Sequence, residues 1–155
     1  MRKTAKITIE EPGRDKGKVF LITEMFADQG EEWALRALIG LMQSGVDVPE
    51  GFPNLGMAAL AEMGLKSLSG MRWDLLKPLL DEMFECVQFI GDPAKVSATT
   101  RPLIREDIEE IPTRFKLRVE WGKLHLDFLS AAVPSLLEQA KTAAGKRTPT
   151  RTQPK

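Results

Sequence analysis

The sequence predicts an α+β domain, mainly helical, with an N-terminal β-hairpin packed on about four helices and a disordered basic C-terminal tail. Three observations predict it. Apolar residues alternate near the N-terminus, as they do along half-buried strands. From about residue 28 they recur every three or four positions, as they do along one face of a helix. From Gln139 to Lys155 there are five basic residues and no acidic one, in a Thr-, Pro- and Ala-rich context that offers little to bury. With 155 residues and 43% hydrophobic content the chain suffices for one core. We assign residues 1–133 to a single domain and 134–155 to the tail.

Each element has a local reason. From Ala5 to Glu10, Ile7 and Ile9 fall on one face and Lys6, Thr8 and Glu10 on the other. The polar run Glu11–Gly17, opened by Pro12-Gly13, is a turn, and Lys18–Thr23 is the second strand of the hairpin. Asp28 is a candidate N-cap, with Glu31 three residues on completing a capping-box pattern. A helix should run from there to about Ser44, with Ala34, Ala37, Leu38 and Leu41 as its stripe and Gly45 as its C-terminal cap. Pro49, Gly51 and Pro53 mark a loop, and Asn54 can cap a second helix to about Leu68. Asp74 or Lys77 should open a third helix, placed with its start near Pro78 because proline suits a first turn, and running to about Gln88 with Leu76, Leu79, Leu80, Met83, Phe84 and Val87 toward the core. Val87–Ile90 can alternatively pair with Thr99–Leu103 across the Gly91-Asp92-Pro93 turn. The longest periodic pattern is the last: Ile104, Ile108, Ile111, Phe115, Val119, Gly122, Leu126 and Leu129. Pro112 interrupts it, giving either a short turn at 106–111 and a helix from about 112 to 131 or one kinked helix.

Composition excludes several chemistries. Lys plus Arg and Asp plus Glu are both 22, so the chain carries no formal net charge for binding nucleic acid, leaving local patches. Cys86 and His125 are the single cysteine and histidine, which excludes a disulfide framework and a Cys/His zinc cluster. His125 has no acidic residue at helical pairing distance, so a structural role is expected rather than a catalytic one. Cys86, between Met83 and Val87, reads as a small buried hydrophobe. The acidic cluster at Glu106, Asp107, Glu109 and Glu110 reads as a complement to a helix dipole rather than a metal site. Gly145-Lys146 lacks the upstream glycine spacing of a phosphate-binding loop. No catalytic, cofactor-binding or metal-binding residue is assigned, and no enzymatic activity is expected. The N-terminus has no apolar run of the signal-peptide kind, and no stretch approaches the roughly 18 apolar residues of a membrane span. A cytosolic protein with no membrane partner is therefore expected.

The order of parts resembles a known family. Ile22-Thr23-Glu24-Met25 leads into Glu32-Trp33-Ala34-Leu35-Arg36-Ala37-Leu38, then a Gly/Ala/Met/Leu-rich helical middle and Leu79-Leu80-Asp81-Glu82-Met83. Arg101-Pro102-Leu103-Ile104 follows, before Asp107-Ile108-Glu109-Glu110. Over residues 5–132 this is similar to the tail assembly chaperones of long, non-contractile-tailed (siphovirus-like) phages. The resemblance implies a non-catalytic viral protein of the bacterial host cytoplasm, absent from the mature virion. It implies binding to the helical tape-measure protein, recruitment of tail-tube protein, and self-association on the client. Such a chaperone needs exposed apolar surface on a soluble scaffold, and methionines supply adaptable contacts. Met57, Met63 and Met71, with Trp33 and Trp73, are the candidate protein-binding residues, although the ordinary role of such side chains is to fill the core. The alternative function is a small regulatory or nucleic-acid-associated module acting through the basic tail.

Overall fold

A computed structural model describes residues 1–45 and 70–125; the side chains of Leu38 and Leu41, residues 46–69 and residues 126–155 fall outside that description. The predicted second helix and the tail therefore lie outside the described residues, as do Met57 and Met63. Strands β1 (Thr4–Thr8) and β2 (Val19–Thr23) form the expected hairpin, paired antiparallel from Thr4↔Thr23 to Thr8↔Val19. The alternation is seen directly: Ile9 is buried and Ile7 half-buried, while Lys6 and Thr8 are exposed. Helix α1 (Ala27–Gln43) begins one residue before Asp28, so Asp28 lies in its first turn instead of capping it. The turn that closes it ends at Gly45, whose φ of 75° is one that a residue with a Cβ adopts poorly.

Helix α2 (Trp73–Glu85) departs from expectation at both ends. It starts five residues before Pro78, because the amides of Leu75 and Leu76 both donate to Arg72 O and close the first turn ahead of the proline. Pro78 then sits on the exposed side, in the second turn. The helix stops at Glu85, since the chain from Val87 onward is taken into the sheet. Strand β3 (Val87–Ile90) pairs with β4 (Thr100–Pro102) in the register Gln88↔Pro102, Phe89↔Arg101 and Ile90↔Thr100. A one-turn helix α3 (Val96–Thr99) lies between them. A 3₁₀ turn (Arg105–Asp107) and helix α4, over residues 111–125, complete the described chain, with Pro112 accommodated in the first turn of α4.

The two hairpins join into one four-stranded antiparallel sheet of order β1-β2-β3-β4. The joining register is Val19↔Ile90, Phe20↔Phe89, Leu21↔Gln88 and Ile22↔Val87. Its central strand β2 is nearly all apolar (Val-Phe-Leu-Ile), and Phe20 and Ile22 are fully buried. Phe20 and Phe89 meet edge-to-face at 5.7 Å across the strands. The core gathers Ile9, Phe20, Ile22, Met25, Cys86, Val87, Leu117 and Trp121, so sheet and α4 share it. Helix α1 is tied to α2 by the Trp33 indole N–H, which donates to Leu79 O at 3.1 Å, and by the two-pronged Arg36–Glu82 pair.

Candidate functional site

Helix α4 is held at its start by residues far away in sequence. The carboxylate of Asp15, in the β1–β2 loop, accepts from the amides of Glu109 and Glu110, each at 3.0 Å, and from Lys18 Nζ at 2.7 Å. It thus satisfies amides that have no partner inside the helix. Burial works to raise its pKa, but the Lys18 ammonium, these amides and the Thr113 hydroxyl outweigh it and hold the carboxyl at about 2. Gly13 takes a φ of 152° in this loop, a backbone conformation that a residue with a Cβ adopts poorly, and lies against the Glu110 carboxylate. Lys116 adds a bond of 2.7 Å to Glu11 of the same loop. Just upstream, the Arg101 guanidinium and the Ile104 amide converge on the Asp107 carboxylate. The acidic cluster is therefore partly a fastening for the turn into α4.

One face of α4 is committed to the core. Thr113, Leu117, Trp121 and His125, each four residues apart, are at most 4% exposed. Trp121 packs on Trp33 at 4.7 Å and stacks on the His125 imidazole at 4.1 Å. His125 Nε2 accepts the Met25 amide at 2.9 Å, and Nδ1 lies 2.8 Å from Trp121 O, which assigns the proton to Nδ1. Burial lowers the pKa of His125, against weaker opposing effects of Trp121 O and Glu24. With both nitrogens engaged inside the fold, the ring is a structural link between α4 and the end of β2. Cys86 is buried, and burial pushes its thiol up, away from the reactive thiolate.

The other face is open. Ile111 is 70% exposed, Phe115 61% and Val119 50%. These are the residues of the longest apolar pattern in the sequence, and they lie roughly 140° around an ideal helix from the buried row. One edge of this stripe is formed by Arg114 and Arg118. Their guanidinium groups spread over the Phe84 ring of α2, 4.1 and 4.8 Å from its centre. Burial, with Arg114 beside it, pushes the Arg118 pKa below its ordinary value. Among the described residues neither arginine makes an ion pair. On the opposite edge Lys116 is neutralised by Glu11, and Lys123 by Glu120. The sequence reading did not single out these arginines; their i, i+4 spacing beside the apolar stripe was the signal available.

The sequence-predicted binding residues are distributed differently. Trp33 is half-buried and packed against the core, so its ring is committed inward. Trp73 opens α2 and is 64% exposed. Met71 is half-buried, its side chain lying against Gly40 of α1. Exposed Ile39 and Met42 stand on α1, so the described structure has apolar surface there as well. A solvent-open cleft of about 650 Å³ runs between Phe26, Phe84 and Leu103, with Arg2, Asp81 and Glu85 as its charged lining. Among the described residues no group of three metal-ligating side chains converges, and no helix is long and apolar enough to cross a membrane. No protein-family model, curated protein or solved structure matches this chain.

Proposed function

We propose that this protein is a tail assembly chaperone of a siphovirus-like phage or prophage, acting in the host cytoplasm. It binds the tape-measure protein, helps recruit tail-tube subunits and leaves before the virion is complete. The observation that carries this reading is the outward row Ile111, Phe115 and Val119 on a helix otherwise firmly fastened to its domain. An apolar client needs a surface that stays apolar and exposed without unfolding its carrier. A long helical client suits a helical face with repeats every four residues. The role is binding rather than catalysis, in keeping with a histidine whose two nitrogens are occupied and a cysteine held in the core.

The test is co-expression with the tape-measure protein encoded alongside. The wild-type chain should raise the soluble fraction of the client and co-purify with it, and Phe115→Glu should abolish both while leaving the thermal midpoint of the chain itself unchanged. An unchanged client solubility with the wild-type chain would end the reading.

A further inference from the structure

We infer that the outer face of α4 is built for a helix of one charge type: an amphipathic partner helix with an apolar row and acidic residues along the edge that meets Arg114 and Arg118. The inference deepens the chaperone reading and rests on it for the identity of the natural partner, but its chemistry can be tested separately.

Three observations lead to it. First, the apolar row is continuous over two turns, from Ile111 through Phe115 to Val119, and is followed on the same side by Gly122. A Cβ added at Gly122 would meet no described atom within 4 Å, so nothing inside the described fold requires glycine there. Glycine in a helix interior is less favourable than alanine. Its absence of a side chain lowers the surface where a partner backbone can approach. Second, the two edges of the row differ. The lysines on one edge have their own carboxylates, whereas Arg114 and Arg118 share the Phe84 ring and make no ion pair among the described residues, Asp81 acting on Arg118 only at longer range while it pairs with Lys77. Two guanidinium groups held side by side on an aromatic face are preorganised donors for carboxylates and lose little freedom on binding.

Third, the charge pattern disfavours a second copy of this chain as the occupant. In an antiparallel two-fold pairing through the row, each arginine edge meets the other arginine edge. In a parallel pairing it meets the edge carrying Lys116 and Lys123. The first sets basic groups against basic groups, which costs association energy, and the second offers the arginines only an edge whose carboxylates are already engaged by its own lysines. A helix with an acidic edge supplies the missing counter-charges and covers the apolar row at once.

The experiment uses the full chain and two synthetic helical peptides of about 20 residues. They share one leucine row and differ only in carrying glutamates or lysines along one edge. Binding is followed by fluorescence anisotropy at low and high salt. The glutamate peptide should bind about tenfold more tightly than the lysine peptide, with a preference that shrinks as salt rises. Phe115→Glu should lose both peptides. R114E/R118E should reverse the preference, and R114K/R118K should keep its sign. If the double reversal fails to fold, Arg114→Gln alone should reduce the preference. Equal binding of the two peptides, a preference that survives arginine reversal, binding of neither peptide, or Phe115-dependent dimerisation of the free chain would each overturn the inference. Because the peptides contain no phage sequence, failure here is distinguishable from failure of the tape-measure test.

Discussion

The two apolar faces of helix α4 have nearly the same spacing and opposite fates. Thr113, Leu117, Trp121 and His125 repeat every four residues and are buried, while Ile111, Phe115 and Val119 repeat every four residues and are exposed. The buried row contains a threonine and a histidine; the exposed row is wholly apolar. Average hydrophobicity would choose the wrong face. What decides is what each face can find. The buried row meets the sheet, Trp33 and the Met25 amide, so even its polar members obtain partners. The difference teaches that a polar side chain with a specific acceptor or donor can occupy a core position, while a better hydrophobe is left outside.

The largest expected effect separates the two faces directly. Trp121→Ala should destabilise the fold by about 3–5 kcal/mol, since it removes a large buried ring that bridges Trp33 and His125. Urea unfolding would measure this, and a loss below about 1 kcal/mol would mean that the row is not the core face.

Next is the fastening of α4. Asp15→Ala should cost about 1–3 kcal/mol, because the part-buried amides of Glu109 and Glu110 lose their acceptor. Its acid dependence has a definite sign. The native pKa of about 2 lies below the ordinary 3.8, so the contribution is fully present above pH 4 or so and is lost as pH falls through about 2. Comparing wild type with Asp15→Asn between pH 5 and pH 2 would check it: the acid loss should be smaller in the variant.

A third test concerns His125. Its native pKa lies below the ordinary 6.5, so the unfolded chain takes up the proton first. Stability should be level above about pH 7 and fall as pH drops below 6.5, over the range where the unfolded histidine titrates. In His125→Gln this part of the pH dependence should vanish, on a baseline lowered by about 1–3 kcal/mol. A variant retaining the full slope would place the titrating group elsewhere.

The smallest effects belong to the outer row. Phe115→Ser should change folding stability by no more than about 0.5 kcal/mol in either direction. Gly122→Ala should raise it by about 0.5–1 kcal/mol, as helix propensity requires where no described contact opposes the methyl group. A loss above about 2 kcal/mol for Phe115→Ser would show that the exposed row carries the fold and would remove the contrast.

Much of the local structure was legible because its cause is local. Ile7 and Ile9 alternate with polar residues, Pro12-Gly13 opens the turn, and Gly45 closes α1 at positive φ. The pairing of Val87–Ile90 with the strand beginning at Thr100 was legible from the intervening turn. Two expectations failed, the first for a local reason and the second for a distant one. Pro78 pointed to a helix start, yet the Arg72 carbonyl nucleates the helix earlier. Val87 continued a helical pattern, but its backbone pairs with Ile22, 65 positions back. Of the candidate binding residues, Trp73 is exposed, Trp33 is packed inward, Met71 lies against Gly40, and Met57 and Met63 lie outside the described residues.

By itself the sequence determined the N-terminal hairpin, helix α1 and the described part of helix α4, because side-chain periodicity and turn chemistry act over a few residues. It also determined that α4 would be apolar along a row from Ile111 to Val119. Only the tertiary structure decided that this row faces outward. That choice depends on Asp15 fastening the helix start, on Trp33 and Met25 receiving Trp121 and His125, and on Phe84 gathering two arginines at the edge. Those partners lie from about 30 to 100 residues away in sequence, and a one-dimensional pattern contains no information about which face they will meet.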